Sequence, residues 1–173
     1  MSDATEYSLW LTFDETTDEY ARYGDAIIDL ASAHDGAPVF EPHLTVVGGI
    51  DGKRERLVEV TRSLAAVTEP IDVTFGPIRS STTTHRCVFR LVDPSVELFE
   101  LYDSTRDALG TSGTAYDPHV SLIYSEMEFP RRVALAAAID TGALPDRARL
   151  PTLEVVATGG PVSTWETVYS VPL

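Results

Sequence analysis

The stretch PHLTVV at residues 42–47 returns in nearly the same form as PHVSLI at residues 118–123. Each copy reads proline, histidine, apolar, hydroxyl, apolar, apolar, and turn-forming residues bound it. A short run rich in apolar and β-branched residues predicts a strand, and a strand tolerates proline at its first residue. We therefore predict two matched strands.

Alternation within these strands decides which side chains meet. Successive strand residues point to opposite faces, so His43 shares a face with Thr45, and His119 shares one with Ser121. The apolar residues between and after them point to the opposite face, where a core would lie. If the two strands are neighbours, two imidazoles and two hydroxyls converge on one place.

Paired imidazoles and hydroxyls suit phosphoryl transfer by acid and base. One imidazole takes a proton from water while the other gives a proton to the leaving oxygen, and the near-neutral pKa of histidine suits both roles. The hydroxyls can donate hydrogen bonds to the non-bridging phosphate oxygens, where charge develops. One copy of the motif alone would favour a structural strand histidine, whereas two matched copies favour catalysis.

These motifs resemble those of the two-histidine phosphoesterase superfamily, whose mark is a pair of His-x-Thr/Ser motifs on strands. Within it, the chain is most similar to cyclic phosphodiesterases of the plant and yeast type. The similar stretches are YSLW at 7–10, EPHLTVVG at 41–48, CVF at 87–89, PHVSLIY at 118–124 and WE at 165–166. The repeated motif and the resemblance together imply an α+β fold: two pseudo-symmetric lobes, each an antiparallel sheet with outer helices, around a central cleft.

The resemblance also implies substrate-binding residues. Trp10 matches the opening strand of the family, which favours the cleft wall over the core. Tyr124 would face away from His119 in a regular strand, but in the resembling family this tyrosine reaches the phosphate site. Plant-type relatives carry aromatic residues where this chain reads SSTTTH at residues 80–85. We expect His85 to be a solvated loop residue, with stacking on a nucleobase as the alternative.

Composition restricts the remaining possibilities. The 173 residues fit one two-lobed domain over residues 1–173, and no apolar run is long enough to span a membrane. The N-terminus lacks the features of a signal peptide, so we expect a cytoplasmic protein. The single cysteine, Cys87, excludes an intrachain disulfide and a cysteine-based zinc site. We expect a monomer without a metal or other cofactor.

The net charge of the chain indicates the salt conditions in which the protein works and the kind of ligand that it binds. The chain has 27 acidic against 13 basic residues, a net formal charge of −14, and Lys53 is its only lysine. An acidic, lysine-poor surface predicts a halophilic protein. The same charge opposes binding of long nucleic acid, which requires basic side chains, so a small nucleotide is the expected partner.

The order of elements follows from periodicity and turn signals. The predicted strands are 7–13, 39–47, 71–75 with an extension past Gly76-Pro77, 86–92, 118–124, 152–157 and 164–171; the predicted helices are 18–34, 53–67, 95–109 and 130–139. Residues 110–117 and 141–149 are predicted loops. Arg86 and Arg90 would alternate on one face of their strand, where they could meet phosphate or lie at the surface.

The resemblance implies metal-independent hydrolysis of ribose cyclic phosphates, either a nucleoside 2′,3′-cyclic phosphate or ADP-ribose 1″,2″-cyclic phosphate. Two alternatives stay open. One is an RNA end-processing enzyme of the same superfamily, including 2′-5′ ligation, which would need a basic groove. The other is a nucleotide-binding module that has lost turnover, against which both intact motifs argue.

Overall fold

The computed structural model describes residues 6–113 and 115–173, and this part of the chain contains eight strands and four α-helices. The strands are β1 (Glu6–Thr12), β2 (His43–Asp51), β3 (Ile71–Ser80), β4 (Val88–Val92), β5 (His119–Ile123), β6 (Arg147–Leu150), β7 (Thr152–Ala157) and β8 (Glu166–Pro172). The helices are α1 (Asp18–Ser32), α2 (Arg54–Ala65), α3 (Val96–Leu109) and α4 (Phe129–Ala138).

All eight strands join one antiparallel sheet in the order β6-β3-β4-β5-β2-β1-β7-β8. The two motif strands, β5 and β2, are neighbours at its centre, where Leu44 pairs with Val120. Each half of the sheet thus has four strands and contributes one motif strand to the junction. The α+β fold of two pseudo-symmetric halves is confirmed, with the two predicted sheets joined edge to edge.

The core lies between the sheet and its helices. Apolar motif residues such as Leu44 and Val120 are completely buried, as strand alternation predicts. Helix α1 packs on β5 and helix α3 packs on β2, so each helix that precedes one motif strand covers the other. Thr17 and Ser95 cap the N-termini of these two helices by accepting backbone N–H bonds.

Two predicted boundaries were wrong. Strand β2 begins at His43 and continues through the glycine pair to Asp51, instead of running from 39 to 47. Gly49 has φ +65°, a conformation that suits glycine, and the pairing of β1 with β2 shifts register nearby, so the glycines form an irregular stretch within the strand. Strand β6 begins inside the predicted loop 141–149 and ends at Leu150; it was missed because this edge strand is short and reads RARL.

Candidate active site

The four motif side chains lie on one face of the central strand pair. Continuing the antiparallel register from the Leu44–Val120 pair sets His43 opposite Ser121 and Thr45 opposite His119. Each imidazole therefore has a hydroxyl across from it, and the two imidazoles lie on a diagonal, for which typical spacing is about 7–8 Å. All four side chains line one cavity of about 230 Å³.

Both imidazoles are held in the same way by their own backbone. Nδ1 of His43 lies 2.6 Å from the carbonyl oxygen of Glu41, and Nδ1 of His119 lies 2.9 Å from that of Asp117. A carbonyl oxygen can only accept, so each Nδ1 carries a proton. Each neutral ring consequently has Nε2 as its proton acceptor, and each charged ring has Nε2–H as its second donor.

His43 lies in a dry, aromatic environment. Trp10 stacks on its ring at a centroid distance of 3.5 Å and an angle of 10°, and Phe40 packs edge-on at 6.0 Å. The hydroxyl oxygen of Tyr124 lies 3.4 Å from Nε2. Burial lowers the pKa of His43 to about 4, against the opposing effect of the bond to Glu41. His43 is therefore neutral at neutral pH.

His119 is partly exposed and has charged neighbours. Phe89 packs against its ring edge-on at 5.1 Å, and Arg86 forms an ion pair with Asp117 beside it. Burial lowers the pKa of His119, and the positive charge of Arg86 adds to this effect. The carbonyl and the carboxylate of Asp117 oppose it, so this imidazole has groups around it that favour its charged form.

Tyr124 reaches the cavity because it follows the last residue of β5. Its ring stacks on Phe40 at 3.8 Å, which directs the hydroxyl toward His43. Burial raises the pKa of this hydroxyl, with a hydrogen bond to Ser121 opposing the shift. Trp10 also lines the cavity, on its wall. The structure thus brings together all six predicted site residues.

Two further cavity residues are Trp165 and His85, which form an aromatic mouth with Tyr124. The ring of His85 lies 5.4 Å from Trp165 and 5.1 Å from Tyr124. Trp165 was predicted only as part of a closing strand, whereas it precedes β8 in a turn. His85 is exposed, as expected for a loop residue, but its backbone carbonyl accepts a hydrogen bond from Ser121.

The prediction that Arg86 and Arg90 alternate on one strand face was wrong. Arg86 belongs to a short turn of 3₁₀ helix before β4, so it does not alternate with Arg90 on a strand. Arg90 is buried, and its guanidinium donates to the carbonyl oxygens of Gly76 and Pro145 and pairs with Asp146. It is a structural residue on the core side of the sheet, because strand alternation turns it away from the cavity.

Within residues 6–113 and 115–173, no group of three or more histidine, cysteine, aspartate or glutamate side chains has the arrangement of a metal site. No helix among those residues has the length and apolar character needed to cross a bilayer.

Solved structures with a similar fold include E. coli LigT complexed with 3′-AMP (13% identity, TM-score 0.62, 99% of both chains) and TT0787 of Thermus thermophilus (12% identity, TM-score 0.65, 97% of both chains). At such identities the likeness shows the fold alone.

The model of the family described as cyclic phosphodiesterase-like protein matches residues 5–173, and the chain belongs to this family. A cyclic phosphodiesterase of Arabidopsis thaliana is 29% identical over 126 residues. The aligned stretch covers 70% of this chain and 66% of that relative, just under two thirds of its length.

Proposed function

We propose that this chain hydrolyses cyclic phosphates on ribose without a metal ion. The observation that carries the proposal is the pair of imidazoles that lie diagonally in one cavity with two hydroxyls. Each imidazole is fixed through Nδ1, which leaves Nε2 for proton transfer. Candidate substrates are a nucleoside 2′,3′-cyclic phosphate and ADP-ribose 1″,2″-cyclic phosphate.

In the proposed reaction, a water oxygen forms a bond to phosphorus while one ribose oxygen leaves. Nε2 of the base imidazole accepts the proton of the water, and Nε2–H of the acid imidazole gives a proton to the leaving oxygen. Thr45 and Ser121 donate hydrogen bonds to the non-bridging oxygens. The product is a ribose phosphate monoester, and solvent exchange then restores both imidazoles.

We assign His43 as the base and His119 as the acid. His43 is buried against Trp10, which disfavours its charged form and keeps Nε2 ready to accept a proton. Burial also lowers the pKa of His119, but this imidazole is partly exposed, and the carbonyl and carboxylate of Asp117 oppose the shift. Tyr124, close to Nε2 of His43, is placed to orient the attacking water.

The ligand we propose is a small nucleotide. Membership of the cyclic phosphodiesterase-like family supports this class, and the structurally similar LigT was solved in complexes with 3′-AMP, ATP and NADP⁺. We assign Trp10 and Tyr124 to the walls of the ribose–phosphate site, and the other two rings of the aromatic mouth, His85 and Trp165, to the base. For His85 this is the alternative of stacking on a nucleobase, proposed for a side chain that is exposed.

The test is a turnover assay of the purified protein on nucleoside 2′,3′-cyclic monophosphates in high salt with EDTA, with identification of the monoester formed. The proposal predicts hydrolysis that chelator does not reduce. Loss of turnover with EDTA that a divalent ion restores would contradict the metal-free mechanism. Binding without turnover would indicate the nucleotide-binding module, and turnover of oligonucleotides alone would indicate RNA end processing.

We also propose that the protein is halophilic, from its acidic, lysine-poor composition. Negative surface charges repel one another, and dissolved salt screens that repulsion. The melting temperature should therefore rise with KCl over the molar range. A melting temperature that stays flat or falls would contradict the halophilic assignment.

A further inference from the structure

The catalytic cavity is smaller than a nucleotide needs. Its volume of about 230 Å³ lies below the roughly 300–1,000 Å³ of typical ligand pockets. The ribose and its cyclic phosphate fill such a space, so the base and the 5′ substituent must extend outside it. Two grooves adjoin the cavity and share no described lining residue with each other.

One groove meets the cavity at the aromatic mouth, through His85 and Tyr124. The other meets it through Thr45, the glycine pair of β2 and His119, and has a volume of about 660 Å³. We call this second one the arginine groove, because Arg86 and Arg106 line it.

The charge of the arginine groove is opposite to that of the protein. Among its described lining residues the only carboxylate is Asp117, and Arg86 already pairs with it. Arg106 stacks on Tyr102 at 5.2 Å and forms no ion pair with any residue in the described ranges. By contrast, the groove beside Glu41 and Glu154 has no basic residue among its described lining residues.

Buried guanidinium nitrogens also indicate that the arginine groove can accommodate an anion. Nε of Arg86 and Nε of Arg106 are both buried, and neither has a hydrogen-bond partner within the part of the chain that the structure describes. Arg106 thus has no ion-pair partner among the described residues, in a chain with 27 acidic residues and 13 basic ones. An anion in the groove would supply the missing charge.

The chemistry of a nucleotide matches this arrangement. When the 2′,3′-cyclic phosphate lies at the histidines, the base is attached to the ribose at C1′ and the 5′ carbon is attached at C4′. These two ring carbons lie on either side of the ring oxygen. A base at the aromatic mouth therefore directs the 5′ substituent toward the other groove. We propose that the arginine groove binds a second phosphate, attached at the 5′ side of the cyclic-phosphate ribose, and that it selects substrates carrying one. This inference rests on the proposed function.

The test compares adenosine 2′,3′-cyclic phosphate with its 5′-phosphorylated form at the lowest KCl concentration that keeps the protein folded. The measured quantity is the ratio of kcat/KM for the second substrate to that for the first. One charge-assisted interaction predicts a ratio of about ten. Added KCl should lower this ratio because it screens the attraction.

The decisive variant is Arg106→Gln, since Arg86 lies beside His119 and its replacement would disturb catalysis directly. Arg106→Gln should bring the ratio close to one, and Arg106→Lys, which keeps the charge, should retain most of it. Arg149→Gln is the matched control, because Arg149 pairs with Asp72 at an exposed site away from the cavity and should leave both rates unchanged.

A ratio near one for the wild-type protein, or an unchanged ratio in a folded Arg106→Gln variant, would overturn the inference while leaving the proposed function intact. If Arg106→Gln does not fold, the wild-type ratio and its salt dependence decide. Hydrolysis of neither substrate would overturn the proposed function itself, which is a distinct result.

Discussion

Trp10 and Phe89 occupy corresponding places in the two halves of the sheet, yet Trp10 packs on His43 differently from the way Phe89 packs on His119. Each lies directly opposite a motif hydroxyl, Trp10 across from Thr45 and Phe89 across from Ser121. Trp10 lies flat on His43 at 3.5 Å, whereas Phe89 meets its imidazole edge-on at 5.1 Å. The repeated motif therefore gives both imidazoles the same hydrogen bond from Nδ1 to a backbone carbonyl. Trp10 and Phe89, which are not repeated, give the two imidazoles different environments and so different proton affinities.

This difference matters because it decides which of the two imidazoles holds the proton before the reaction. A perfectly symmetric pair would have equal pKa values, and neither imidazole would be preferred as acid or base. Burial beneath a flat indole lowers the pKa of His43 to about 4. Burial lowers the pKa of His119 as well, but the carbonyl and the carboxylate of Asp117 oppose that shift.

The largest effect is expected from removing either imidazole. His43→Ala and His119→Ala should each reduce turnover of a 2′,3′-cyclic mononucleotide by about 10²–10⁴-fold, because each removes one proton transfer. The double variant should lose less than the product of the two, since the residues act as one unit. His34→Ala is the control, as His34 bonds the carbonyl of Leu30 at the end of α1. Near wild-type turnover in a folded His43→Ala or His119→Ala protein would remove that residue from the mechanism.

A smaller loss is expected from the hydroxyls. Thr45→Ala and Ser121→Ala should each raise the transition-state barrier by roughly 1.5–3 kcal/mol, the usual value of a hydrogen bond to a charged group. Ser121→Ala also removes the bond to the carbonyl of His85 at the aromatic mouth. Its KM should therefore rise in addition, which steady-state kinetics can separate from kcat. Losses equal to those of the histidine variants would show that the hydroxyls do more than bind phosphate.

The pH dependence tests the difference between the halves in the wild-type protein. With His43 as the base, kcat/KM should rise with pH through about 4, because its imidazole must lose a proton. The alkaline fall should be centred below the ordinary histidine pKa of about 6.5, because burial lowers the pKa of the acid His119. The apparent values belong to the coupled pair. An optimum at a pH of about 8 or above would contradict the assigned environments.

The smallest effect is expected when the two halves are made more alike. Trp10→Phe gives His43 a smaller neighbour and admits water, so its pKa should rise toward the ordinary value and the acidic limb should move to higher pH. Phe89→Leu exposes His119 instead and should move the alkaline limb to higher pH. If neither limb of the pH profile moves in these variants, Trp10 and Phe89 do not cause the difference in pKa between the two histidines.

Alternation and repetition allowed the sequence to predict the centre of the site. Two matched strands place His43, Thr45, His119 and Ser121 on one face, and only neighbouring strands can bring them together. The sequence also identified Trp10 and Tyr124, through their resemblance to family positions beside the motifs. These residues lie on regular elements or one residue beyond them, where local pattern determines direction.

The remainder depends on contacts between distant segments. Trp165 reaches the cavity from a turn before β8, and His85 reaches it from a loop anchored by the buried Arg132, which donates to the carbonyls of Ser81 and Thr83. No period in the sequence indicates such positions. Strand β6 was missed for a related reason: its four residues form a strand only because they pair with the edge of β3.

The most direct test of the division of roles is a change of leaving group. An aryl phosphodiester with a phenolate leaving group of low pKa needs little help from an acid, but the attacking water still needs a base. We predict that His119→Ala recovers most of the wild-type rate on this substrate, while His43→Ala remains as impaired as on the ribose cyclic phosphate. Recovery of His43→Ala instead, or equal losses for both variants on both substrates, would contradict the assignment.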